Sequence, residues 1–169
     1  MSSEDEAIAA SVAKHGWHAI GISSSATMPS LIYTIGLCHQ FDHPEVMVFG
    51  LDLKIGHALL RDVVDDLRAG KSYASPGRYL GLLEGLAVTV RPVHPTQHIL
   101  YLGYAMAFYR RLGRPEMLRT VQVLWPDSLG RAPSDVGCDP AVVSVQLAVD
   151  GPVPADTLRE FLERYRPVN

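Results

Sequence analysis

The stretch "HGWHAIGISSSATMPSLIYTIGL", His15 to Leu37, decides how the chain is read. Trp17–Ile22 and Leu31–Leu37 are apolar runs of strand length, and the polar "SSSATMPS" between them is a loop by composition. Gly36 marks a bulge or a close approach within the second run. Upstream, Ser3–Lys14 carries Ile8, Val12 and several alanines at helical spacing, with Ser2 or Ser3 as cap and acids in the first turn. Gly16 is placed to end that helix in the left-handed conformation. Downstream, "CHQFDHPE" reads as a turn and "VMVFGL", Val46–Leu51, as a third strand. Three strands joined by short connections should be antiparallel neighbours.

Farther along, Asp52 caps a helix whose apolar stripe is Ile55, Leu59, Val63 and Leu67, and Gly70 ends it. Leu80–Val93 contains a long strand, "GLAVTVRPV" (Gly85–Val93), alternating at Ala87–Val90, with Pro92 placing its far end at an edge. Pro95 opens an aromatic-rich helix that reaches about Leu112. Thr120–Trp125 is a strand, "AVVSVQLAV" (Ala141–Val149) a last strand, and Asp156–Tyr165 a final helix. Runs of strands with helices inserted between them indicate α+β: a curled antiparallel sheet, or a small split-barrel-like barrel, of about six strands with flanking helices. The whole of 1–169 reads as a single domain. The element order is similar to the split barrel of many flavin proteins, and that analogy makes a flavin the cofactor to test.

The 169 residues are 47% hydrophobic and 20% charged, with a formal charge of −3 spread along the chain. This composition gives no nucleic-acid footprint. No apolar run approaches the roughly 20 residues that span a bilayer, so no membrane partner is expected. The acidic N-terminus has no basic region followed by an apolar core, which leaves the cytoplasm as the expected compartment. Cys38 and Cys138 belong to no CxxC pair and read as free thiols. Cys38 next to His39 does not make a nucleophile, because adjacent strand residues point to opposite faces.

Phosphate-binding glycine loops, HExxH and GxSxG are all absent. What remains is a set of polar groups at strand ends. His15 sits at a helix C-terminus and His18 at a strand start; they belong either to a site or to plain surface. Within "HQFDHPE", His39, Asp42, His43 and Glu45 are metal-ligand types, but their spacing fits no known motif and a polar turn explains them as well. His94 and His98 are four apart across a helix start, yet His94 precedes Pro95 and should be extended. Tyr33, Thr34 and Gln122 lie in strands that should be buried, so their polar atoms need partners, in the fold or in a ligand. Trp125 and Asp127 flank a proline at a strand exit, from which they could face a cleft.

The blocks "HGWHAIGI", "YTIGL", "HPEVMVFGL", "GHALLRDV" and "VQVLWPDSLGRAP" together resemble the bacterial domain-of-unknown-function 4262 family. The resemblance covers about His15 to Pro133. It departs from the family where Pro133 is followed by Ser134 rather than tryptophan. It implies a shared fold and no chemistry. Two functions are therefore expected from the residues. The first is a small-molecule-binding protein, either a plain binder or an enzyme of specialised metabolism, in which case His18, His43 and Tyr33 would be the catalytic groups. Thr34, Glu45, Gln122, Trp125 and Asp127 would bind the ligand, and no metal is assigned. The second is a non-catalytic accessory or immunity-type module, binding a peptide partner or a second copy of itself (a homodimer) through Tyr101–Tyr109. Those aromatics read more simply as core.

Overall fold

The computed structural model describes residues 1–165. The chain runs α1 (Ser3–His15), β1 (His18–Ile22), β2 (Leu31–Ile35), α2 (Leu37–Phe41), β3 (Glu45–Phe49) and α3 (Leu53–Arg68). It continues with β4 (Gly77–Leu83), β5 (Leu86–Pro92), α4 (His98–Tyr101), α5 (Gly103–Arg111), β6 (Thr120–Leu124), α6 (Pro140–Ser144) and α7 (Ala155–Arg164). The six strands form one sheet in the order β1-β2-β3-β6-β5-β4. The fold is α+β.

The early meander is antiparallel as expected, Ile20 pairing with Tyr33 and Tyr33 with Met47. The sheet is nevertheless mixed, because β3 and β6 pair in parallel, Val46 opposite Val121. The sheet does not close on itself: β1 and β4 stand at opposite ends of the strand order. The split-barrel alternative is therefore corrected, and the analogy that raised a flavin loses its footing.

Alternation along the strands sorts the core into two apolar layers. Tyr33, Met47 and Phe49 face α1, α4 and α5, packing with Ile8, Val12, Leu102, Phe108 and Tyr109. Ile32, Val46, Val48, Val121 and Val123 face α3, packing on Leu59, Leu60, Val63 and Val64. The α3 stripe is shifted from the expected one: Ile55 is 57% exposed, and Gly56 takes its place against the sheet. The aromatic helix is mostly core. Phe108 and Tyr109 are buried, Tyr101 is half-buried, and Tyr104 is 43% exposed.

Four local expectations are corrected. "CHQFDHPE" is not a simple turn, because Gly36 at φ +112° bends the chain out of β2 and straight into α2. The strand expected within Leu80–Val93 is present as β5 (Leu86–Pro92), but it lies between β6 and β4 rather than at an edge, and β4 precedes it in a hairpin that turns between Leu83 and Leu86. The helix expected over 95–112 begins as a 3-10 turn and breaks at Leu102, between α4 and α5. Ala141–Val149 is no strand: Asp139 accepts the Ala141 N–H, and Pro140 at the first position starts α6. A valine-rich run is here overruled by a strong helix start. α1 keeps its expected limits, Ser2 and Asp5 forming a reciprocal capping box.

No helix among the described residues is long and apolar enough to cross a membrane. Cys38 and Cys138 are free and buried.

A Cβ at Gly56 would lie 2.7 Å from Ile32 Cγ2, so α3 approaches β2 only because this position is bare. Gly56→Ala should therefore destabilise the protein by about 1–3 kcal/mol in denaturant unfolding, despite the gain in helix propensity of about 1 kcal/mol. Unchanged or raised stability would show that α3 can back away at no cost.

Candidate functional site

Glu45 opens β3 with its carboxylate wholly buried, 0% exposed. Oε1 accepts hydrogen bonds from Tyr109 Oη at 2.6 Å, Gly36 N at 2.8 Å and Cys38 N at 3.3 Å. Oε2 accepts from Thr34 Oγ1 at 2.6 Å, and that hydroxyl in turn accepts from Val46 N. The two amides belong to the chain entering α2, whose N-terminal end favours a negative group. Burial raises the Glu45 pKa to about 7, against the pull of the four donors. The same contact pushes the Tyr109 hydroxyl well above its ordinary range, through burial first and the Glu45 charge second. Thr34 and Glu45 thus meet each other rather than a ligand.

Most of the other expected site residues are also held by the protein. His43 Nδ1 donates to Pro44 O at 2.7 Å, while Nε2 accepts the Tyr73 N–H at 3.0 Å. Both nitrogens are engaged, and burial lowers the pKa, so the ring is fixed neutral. Gln122 Nε2 donates to Leu147 O at 2.7 Å, which supplies the partner its burial demanded. Trp125 is clamped by Gln146, which accepts its N–H and donates to its carbonyl, and the indole donates to Phe49 O. Asp127 accepts from the Leu129, Arg131 and Asp139 amides and from Arg131 Nε. Desolvation works against this carboxylate, yet those donors bring its pKa to about 2. Tyr33 is 0% exposed and its hydroxyl has no hydrogen-bond partner among the described residues. These residues do not converge on one cavity.

Metal-ligand pairings are not assembled either. His94 Nδ1 accepts the Thr96 N–H, capping its own turn, and Asp42 pairs on the surface with Arg119 at 2.9 Å. Among the described residues, no group of three or more His, Cys, Asp or Glu side chains is placed to hold a metal ion.

His18 does reach a cleft. Where α1 ends, β1 begins and α3 passes behind, Ser11, His15, Trp17, His18, His57 and Arg61 line a concavity of about 450 Å³. Trp17 and His57 lie ring against ring, centroids 5.5 Å apart. His57 and Arg61 are four apart on α3 and so share one face of it. No carboxylate lines the cleft. Burial lowers the His18 pKa, with Glu4 opposing and His57 adding to the effect, so the neutral ring is favoured. Sequence reasoning flagged His15 and His18 but missed Arg61 and Ser11. The His57/Arg61 spacing on the polar face of α3 was the available signal.

An α+β protein with an open six-stranded sheet, a buried carboxylate and a histidine-lined cleft is the class these features define. Residues 11–139 match the family described as Domain of unknown function (DUF4262), and the chain belongs to that family. No curated protein and no solved structure matches it significantly.

The raised Glu45 pKa has a definite sign. Protonation is easier in the folded chain, so this contribution is fully present below pH 4.5 and is lost as pH rises to about 7. Its size is roughly 2–4 kcal/mol. Denaturant unfolding at several pH values should show that decline in the native chain and not in Glu45→Gln. Parallel pH profiles for the two would contradict it.

Proposed function

We propose that the chain is a cytoplasmic small-molecule-binding protein whose ligand occupies the cleft of His15, His18, His57 and Arg61, with His18 as its proton-transfer group. The observation that carries this reading is a contrast among the histidines. The His43 and His94 rings are engaged by the fold. No hydrogen bond among the described residues engages the side chains of His15, His18, His57 or Arg61, and these four share one cleft.

A cluster of imidazoles and a guanidinium without a carboxylate favours an anionic ligand. Trp17 adds a flat apolar wall against which a planar group can stack. The neutral His18 can accept a proton at working pH, which is what a general base requires. Reaction and substrate are open to any chemistry that joins an anion, a stacking surface and one proton transfer.

Bound anion favours protonated imidazole, so affinity should rise as pH falls through the His18 pKa; His15, His57, Arg61 and the more distant Glu4 set the field around it. Inorganic phosphate, titrated at several pH values and followed through the His18 and His57 ring resonances, should shift both saturably. Arg61→Ala should weaken it about tenfold. Absence of saturation, or equal affinity in Arg61→Ala, would reject the reading.

A further inference from the structure

A second cleft lies on the opposite layer of the sheet, around Tyr33. Three buried polar atoms have no partner among the described residues: Tyr33 Oη, His98 Nε2 and Thr120 Oγ1. Tyr33 is the one of these that lines a described cleft, a space of about 480 Å³ walled by Ile22, Tyr101, Gly103, Tyr104 and Phe161. Its hydroxyl lies beside the backbone N–H groups of Tyr104 and Ala105 without forming a hydrogen bond of normal geometry.

Those amides belong to the first turn of α5, a helix of 9 residues that starts after the break at Leu102. Leu102 has no side chain able to cap it, and no side-chain cap is present. Among the described residues the Gly103, Tyr104 and Ala105 N–H groups make no hydrogen bond of normal geometry, the Tyr33 hydroxyl being the oxygen nearest to the last two; the next amide, Met106, is the first to be paired, with Leu102 O. A helix start with open amides attracts an anionic oxygen. Glycine at 103 leaves the approach clear, with no heavy atom within 4 Å of where its Cβ would stand. Burial keeps the Tyr33 hydroxyl protonated, so it too is a donor.

The Tyr33 hydroxyl and the open amides are donors, and the group that satisfies them must accept; the one carboxylate lining the cleft, Asp5, is held at its rim by Ser2 and Arg111. The nearby cation does not compete: Arg111 is already paired with Asp5 at 2.5 Å. Apart from Ser2, Asp5 and Arg111, the walls are hydrocarbon and aromatic, with Phe161 and Tyr165 of the α7 end ring against ring, centroids 4.6 Å apart. A small multiply charged ion would find too few cations and too much apolar surface. An acid with one carboxylate and a hydrocarbon body matches both halves.

We propose that the first turn of α5 and the Tyr33 hydroxyl form a carboxylate-binding site for an apolar monocarboxylate, an acyl or aryl acid whose body lies along Phe161. The site is separate from the histidine cleft and stands whether or not that cleft binds anions.

Octanoate is the probe, with octanol and inorganic phosphate as controls, followed by the amide resonances of Gly103, Tyr104 and Ala105 in the full chain. Octanoate should shift all three saturably, and octanol and phosphate should not. Tyr33→Phe should keep the thermal midpoint, since the hydroxyl has no partner to lose, and should weaken octanoate about tenfold. Gly103→Glu, which supplies a carboxylate to the same amides, should fold at least as well and abolish binding. The proposal is overturned by absence of saturation, by octanol or phosphate acting like octanoate, or by Tyr33→Phe binding normally. A drop in stability for Tyr33→Phe would overturn it too, by showing that the hydroxyl caps α5 within the fold.

Discussion

A carboxylate sealed away from water is the constraint around which this protein is arranged. Left without donors, the Glu45 side chain would cost several kcal/mol, far more than a domain of this size can spare. Its four donors come from β2, the Gly36 bend, the start of α2 and α5. One side chain thus ties together elements up to 64 residues apart. Its own amide donates to Arg119 O at 2.8 Å, joining the two halves of the sheet where β3 and β6 meet.

That arrangement explains why most polar residues of the strands are engaged within the fold. Thr34, His43, Gln122 and Asp127 each sit where buried main chain or a buried charge needs a partner, and each supplies it. Polar groups satisfied in this way rigidify a core and are not free for a ligand. Other polar groups are not consumed by the fold. They lie at the rim of the sheet, in the histidine cleft beside β1, and at the uncapped start of α5.

Much of the fold is legible in local sequence. Ser2 and Asp5 announce α1, two apolar runs around a polar loop announce the β1–β2 hairpin, and Thr120–Leu124 reads as the strand it is. What failed to show depends on distant partners. α2 is held by Glu45, whose amide contacts reach back nine residues to Gly36. Ala141–Val149 has strand composition, yet Gln146 is spent clasping Trp125 and Gln122 reaches Leu147 O, which holds this segment as a strap across β6. The site was half legible for the same reason. His18 could be flagged because it starts a strand, whereas His43 looked equally available until Tyr73, 30 residues away, occupied its second nitrogen.

Polar side chains of this protein divide into those spent on the fold and those left free, and the histidines divide most sharply. Long-range proton–nitrogen correlation spectra of the imidazole rings, taken between about pH 5 and 8, read protonation and tautomer at each ring. The account requires His43 to stay neutral, locked with its proton on Nδ1, while His18 titrates freely below the usual histidine range. A titrating His43, or a His18 held in one tautomer throughout, would contradict it.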